Sequence, residues 1–283
     1  MGIHITKQTE VVGLLSLCDI IKQSKSLAEV NLSFNKFGDA VASSIVASSI
    51  AEAIKQSKSL TTLNLWGNQM GDLDVSFIVD AIKQSNSSLS TVDLSNNSIG
   101  SMGASAIADL VKQSQSLTTV NLRYNHIGDV GAEAFAEAIK QSKSLRNVEL
   151  DYNSIGPSGA SALAEAIKQS KSLARVDLSS NSIGTEGAFA IAEAVKQSTS
   201  LIALELKSTS IGPSGASFIA EAIKQSQSLK FVGLGRNAIG TVGAEAIKQS
   251  TSLTKVDLSY NGFGDDGAFF FFGLLLQIFL SST

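Results

Sequence analysis

The tripeptide Lys-Gln-Ser occurs nine times, starting at Lys22, Lys55, Lys83, Lys112, Lys140, Lys168, Lys196, Lys224 and Lys248. A leucine follows each, at 27, 60, 89, 117, 145, 173, 201, 229 and 253, so the steps are 33, 29, five of 28 and a last of 24 residues. Such a period restricts the 283-residue chain to stacked copies of one unit. Each copy buries its apolar face against its neighbours.

Residues 116–143, SLTTVNLRYNHIGDVGAEAFAEAIKQSK, display the unit. Val120 and Leu122 alternate with Thr119, Asn121 and Arg123, the period of a strand buried on one face. Ala132, Phe135, Ala136 and Ile139 then recur at helical spacing, with Glu133, Glu137 and Lys140 outside. Asp129 is placed to cap the helix start, and Gly131 to let the chain turn into it. Ser101, Thr185 and Asp265 take the capping place in other repeats, and beside Pro157 and Pro213 the following Ser158 and Ser214 take it. The repeated lysine falls in the last helical turn, where the macrodipole favours a cation.

A strand and a returning helix, repeated, predict an α/β solenoid with a parallel sheet on one side and helices on the other. Strands pack about 4.8 Å apart, whereas helices need about 8–10 Å. The mismatch bends the stack into a horseshoe with a concave sheet and convex helices.

The unit LxxVxLxxNxIGxxGAxAxAEAIKQS resembles the ribonuclease-inhibitor type of leucine-rich repeat, with repeats of about 28 residues. That class is also found in NLR immune receptors, tropomodulin and the Ran GTPase-activating protein. The resemblance covers about residues 27–267. It implies a concave face that binds proteins. It also implies that Asn35, Asn68, Asn97, Asn125, Asn153, Asn181, Asn237 and Asn261 bond the backbone of the turn after each strand. Thr209 breaks this row, which predicts a looser turn in the seventh repeat.

Three departures mark the ends. VASSIVASSI at 41–50 is a five-residue duplication and predicts a bulge or an extended helix start. The step of 24 predicts a helix one turn short after Gly243. Residues 268–280 read AFFFFGLLLQIFL, thirteen residues where a bilayer span takes about 20. A greasy closing helix is the plainest expectation for that run; a dimer or membrane contact and a truncated gene end are the alternatives. The expected organisation is an N-terminal capping helix over 1–26, nine repeats over 27–267 and an apolar C-terminal cap over 268–283. Thr9 would cap the first helix, with Val11, Leu14, Leu15, Cys18 and Ile21 on its apolar face.

Little in the composition points to chemistry. The net charge of −3 gives no pull toward nucleic acid or an anionic membrane. A single cysteine, Cys18, excludes an internal disulfide framework and suits a buried helix position. The first residues lack the pattern of a secretory signal, so a reducing, cytoplasmic setting is expected. His4 and His126 lie far apart, no cluster has metal-ligand spacing, and the repeated IGxxGA lacks the context of a phosphate loop. The helical Glu-x-x-Lys pairs are solvated. Neither an enzyme nor a cofactor is expected. GTPase activation, which the Ran regulator achieves on this fold, is the weaker alternative, because that family carries an acidic tail and this chain ends in phenylalanines and leucines.

What differs between the copies is the exposed side of the strands. With the leucine as position one, position five reads Asn31, Asn64, Asp93, Asn121, Glu149, Asp177, Glu205, Gly233, Asp257. Position seven includes Trp66, Arg123, Asp151 and Lys207; position eight includes Phe34, Tyr124, Tyr152, Arg236 and Tyr260; position three includes Arg175 and Phe231. Glu149, Asp177 and Glu205 should stand side by side, which costs stability and suits a partner protein with a basic patch. Alternatively Arg146, Arg175 and Lys207 neutralise them while Arg123 pairs with Asp151. Tyrosine and arginine dominate binding hot spots. The expected partner-binding face therefore comprises Trp66, Arg123, Tyr124, Arg146, Glu149, Asp151, Tyr152, Arg175, Asp177, Glu205, Lys207, Phe231 and Arg236. An assembly scaffold, working through its convex side or through self-association of the apolar C-terminus, is the competing class.

Overall fold

The computed structural model describes residues 2–4, 11–37, 43–85, 87–240 and 253–263. Its strands and helices alternate as β1 (Gly2–His4), α1 (Val11–Gln23), β2 (Glu29–Asn31), α2 (Ser43–Gln56), β3 (Thr62–Asn64), α3 (Asp72–Gln84), β4 (Thr91–Asp93), α4 (Ser101–Gln113) and β5 (Thr119–Asn121). They continue as α5 (Gly128–Gln141), β6 (Asn147–Glu149), α6 (Pro157–Gln169), β7 (Arg175–Asp177), α7 (Gly184–Gln197), β8 (Ala203–Glu205), α8 (Gly212–Gln225), β9 (Phe231–Gly233) and β10 (Lys255–Asp257). The ten strands form one parallel sheet in sequence order. This is the expected α/β solenoid, with one strand more than the repeat count foretold. β1 pairs with β2, Ile3 opposite Val30, and lies ahead of the helix expected to stand alone at that end.

Between sheet and helices runs one continuous core. The repeat leucines, the inward Val/Leu of each strand and the helix Ala/Ile positions are buried throughout, and Phe135 is fully enclosed. Burying each such aliphatic side chain contributes about 1.5–3 kcal/mol. Cys18 and Ile21 are buried on the inner side of α1. The strands are only three residues long, so most of each turn must find hydrogen bonds elsewhere.

The asparagine row supplies them. Asn181 Nδ2 donates to the carbonyls of Leu150 and Leu178, 2.9 Å each, while its Oδ1 accepts from the N–H groups of Asn153 at 3.0 Å and Ile155 at 2.9 Å. The same side chain therefore ties two consecutive repeats. Thr209 keeps part of this: its hydroxyl donates to the Leu206 carbonyl at 2.6 Å and its N–H to Asn237 Oδ1 at 2.9 Å. It is fully buried, so the seventh turn is short of hydrogen bonds rather than splayed.

The serines of the repeated motif have structural work as well. Ser142 Oγ accepts from the Leu145 N–H at 3.1 Å, and Ser144 Oγ donates to the Ser114 carbonyl of the preceding repeat at 3.3 Å. Lys-Gln completes the helix end: Gln141 bonds Glu137 at 2.5 Å and Lys140 lies 3.4 Å from the same carboxylate.

Helix starts differ from expectation. Asp129 does not cap its own helix; its Oδ1 accepts from the N–H groups of Gly156 at 2.6 Å and Gly159 at 3.0 Å, at the start of the next one. Asp72 does the same for Gly100 at 2.6 Å. Ser101, Ser158 and Ser214 make no side-chain cap, and Thr185 donates to the Ile211 carbonyl instead. The turn glycine is Gly128, with φ of 61°. Gly131 serves close packing, since a Cβ there would stand 3.0 Å from that of Ala104 and collide with Ile127. Residues 43–50 of the duplication lie in α2, whose 14 described residues equal the length of α5, α7 and α8. Residues 41 and 42, the short helix, the apolar run at 268–280, Thr9 and Asp265 lie outside the described residues.

Candidate functional site

Parallel pairing places Asn121, Glu149, Asp177, Glu205 and Gly233 in one row across β5 to β9, on the sheet face opposite the helices. Part of this row serves the turns. Asn31, Asn64, Asp93, Asn121, Asp177 and Asp257 each accept from the backbone N–H two residues on, at 2.9–3.1 Å. A short side chain with an oxygen at that position closes the turn, in the manner of an Asx motif. Glu149 and Glu205, a methylene longer, stand outside this role. Glu205 leans over Gly233, where a Cβ would collide with its carboxylate.

Two pairs form directly. Arg123 Nε meets Asp151 Oδ2 at 2.8 Å, and an Arg175 guanidinium nitrogen meets Glu205 Oε1 at 3.5 Å. Among the described residues Glu149 and Asp177 form no ion pair, and neither do Arg146 or Lys207. Of the three cations expected to neutralise the row, Arg175 alone does so by direct contact.

Burial and like charge leave their mark on the acids. Asp151 is buried, and desolvation together with the Asp177 charge outweighs Arg123, pushing its pKa up to about 7. Glu149 and Glu205 are also pushed up, first by burial and then by Asp177. Burial is the larger cause in all three, and the neighbouring Asp177 charge the second.

Beside it, Tyr124 and Tyr152 stack face to face, centroids 4.0 Å apart and planes 17° apart, with the Arg123 guanidinium 5.0 Å from the Tyr124 ring. Both rings are exposed, at 41% and 44%. Both residues also have left-handed backbone, φ of 54° and 56°. Every described repeat turns this way at that position: Gly67 (φ 68°), Asn96 (φ 51°), Ser180 (φ 55°) and Ser208 (φ 56°) hold it in four others, and Phe34, Arg236 and Tyr260 (φ 55–59°) in the rest. Left-handed backbone costs a residue with a Cβ about 1–2 kcal/mol. The Ser180 hydroxyl, next in the row, bonds to Tyr152 and holds its phenol below the ordinary value.

The other expected residues stand apart from this centre. Trp66 packs on Phe34 at 4.4 Å, three strands toward the N-terminal end. Phe231 lies under Lys255 at 5.4 Å, and Arg236 covers Tyr260 at 4.6 Å, toward the other end. Arg146 is exposed before β6, outside the outward strand rows. Sequence reasoning passed over Ser180 and Lys255; aligning each position with its neighbour in the next repeat would have found both. No metal-holding group of His, Cys, Asp or Glu occurs among the described residues, and no helix there is long and apolar enough to cross a membrane.

Comparison with known proteins agrees with the geometry. The family described as Leucine Rich repeat matches residues 23–46, 56–79, 85–108, 113–136, 141–164, 169–192, 197–220, 225–248 and 249–272. No curated protein matches. Among solved structures, the chain is similar to the tropomodulin C-terminal domain of Caenorhabditis elegans, at 17% identity over 52% of this chain and 93% of that one, with a TM-score of 0.45. It is also similar to the leiomodin-1 actin-binding site 2, at 16% identity over 59% and 79% of the two chains, with a TM-score of 0.36. Nine matches in the frame set by the strands and helices leave one assignment: the chain belongs to the leucine-rich-repeat family.

Proposed function

We propose that this chain is a non-enzymatic, cytoplasmic protein-binding module of the ribonuclease-inhibitor type, and that it holds a partner protein on the concave face of β5 to β8. The observation that carries this reading is the Tyr124–Tyr152 stack: two exposed aromatic rings lie face to face on adjacent turns, 4.0 Å between centroids. The adjoining Glu149 and Asp177, in no ion pair among the described residues, supply the polar half of a hot spot.

The test is a variant that keeps the local structural roles and removes the surface. Tyr152→Asn suits the left-handed turn, and Asp177→Asn preserves the acceptor for the Ser179 N–H. The stack is worth about 0.5–1.5 kcal/mol, near the backbone cost relieved. The double variant is expected to match wild-type stability within about 1 kcal/mol while losing capture of host proteins. Retained capture would remove the concave face from consideration.

One observation favours self-assembly as a second reading. Leu73, Met102 and Val130 form an exposed apolar row on α3, α4 and α5, each more than 60% accessible, where Ser158 and Glu186 continue the row. Association that rises with concentration in light scattering, and vanishes in Met102→Glu, is the expected signature; a monomer at all concentrations would dismiss it.

A further inference from the structure

We infer that the partner presents an arginine side chain to this face, its guanidinium bridging Glu149 and Asp177 beside the Tyr124–Tyr152 pair. This rests on the concave-face reading above and names the chemistry that the face selects.

Three observations converge on arginine. First, among the described residues two neighbouring carboxylates have no cation in direct contact. Arg123 takes Asp151 at 2.8 Å and Arg175 takes Glu205 at 3.5 Å, while Glu149 and Asp177, adjacent in register between those pairs, take none among the described residues. Second, Asp177 spends one oxygen on the Ser179 N–H, and the Glu149 carboxylate accepts no hydrogen bond among the described residues, so acceptor capacity remains for a planar fork of donors. Third, the fold itself supplies the pattern. Arg123 bonds a carboxylate and covers a tyrosine ring at 5.0 Å; Arg236 covers another at 4.6 Å. Arginine fits such a half-buried site better than lysine, because guanidinium is more weakly hydrated and can bond two carboxylates and lie against aromatic rings at once.

The site should also respond to pH. Facing it are Glu149 and Asp151 from β6 and its turn, Asp177 and Arg175 from β7, and Glu205 and Lys207 from β8 and its turn. Arg123, Tyr124 and Tyr152 stand on the turns beside them, and Asp93, Lys255 and Asp257 act from farther along the sheet. Asp151, pushed up to about 7, holds a proton at mildly acid pH, Glu149 is shifted in the same direction, and an arriving cation favours release of both. Binding is therefore weaker in acid.

The probe is a fluorescein-labelled twelve-residue peptide alternating Arg and Ser, with Lys and citrulline counterparts, titrated by anisotropy into the full chain. The arginine peptide is expected to bind about tenfold more tightly than the lysine peptide and the citrulline peptide not measurably, a charge-assisted bidentate pair being worth about one decade. Asp177→Asn or Glu149→Gln should each weaken the arginine peptide about tenfold, as should lowering the pH from 8 to 5.5. Far-UV circular dichroism of both variants establishes that they are folded. Equal affinity for the arginine and lysine peptides would overturn the inference, leaving only unselective attraction. Absent arginine binding, together with loss of host-protein capture in the Tyr152→Asn, Asp177→Asn variant, would overturn it while the concave-face reading stands.

Discussion

Asn181→Ala is expected to lower the unfolding free energy by about 3–5 kcal/mol, among the larger losses available to a single substitution in this fold. Its side chain serves four buried backbone groups: the carbonyls of Leu150 and Leu178 and the N–H groups of Asn153 and Ile155. Each unsatisfied group costs about 1–3 kcal/mol, and water reaching the cavity relieves part of the sum. The damage falls on the junction between two repeats, and a solenoid has no contacts elsewhere to compensate. Thr209 is the chain's own partial version of this change. Threonine retains a donor to Leu206 but has no amide to reach back to Leu178. Thr209→Asn should therefore add about 1 kcal/mol by restoring the ladder. Urea unfolding followed by circular dichroism measures both. A loss below about 1 kcal/mol in Asn181→Ala would mean that the ladder is dispensable.

Stability is expected to fall, by up to about 2 kcal/mol, as pH rises from 5.5 to 8. The cause is Asp151, whose pKa goes from an ordinary 3.8 to about 7 in the fold. Between those values the folded chain keeps a proton that the unfolded chain has released, so protons favour folding there. That contribution is lost as pH rises through 7. Glu149 and Glu205 are shifted in the same direction and add to the slope. Asp257 is held below its ordinary value, so its opposite effect appears only in stronger acid. Asp151→Asn removes the largest of these titrations. Arg123, with its side chain 48% exposed, can turn to water when its partner loses charge. The variant should consequently show a flatter profile, gaining on the wild type at pH 8 and not at pH 5.5. Denaturation at the two pH values decides it; wild-type stability that rises with pH would contradict the assignment.

The same residues separate what periodicity encodes from what packing adds. Leu122 and Val120 face inward because alternation leaves them no other face, and the identical phase of every unit puts Glu149, Asp177 and Glu205 side by side. The Arg123–Asp151 contact was likewise legible, because neighbouring repeats bring equal positions together. Local pattern does not reveal hydrogen bonds that cross between units at unequal positions. Asp129 looked like a cap for its own helix, yet the stacking offset delivers its carboxylate to Gly156 and Gly159 of the next. Gly131 looked like a turn residue and is a packing residue, because the close approach of Ala104 cannot be read from one helix. The sharing of Asn237 by Thr209 was hidden for the same reason.

By itself, then, the sequence determined the unit, its strand and helix faces, the parallel order and the row on which the carboxylates stand, since all of these follow from apolar spacing repeated in phase. Tertiary structure alone decided three other features. β1 forms because β2 offers it an unpaired edge, though Gly2–His4 carries no repeat signal. Asp151 holds its proton to about pH 7 because burial and Asp177 act on it from outside its own repeat. Tyr124 and Tyr152 lie stacked on left-handed turns because the return of the chain from strand to helix fixes that backbone in every copy, whatever side chain occupies it.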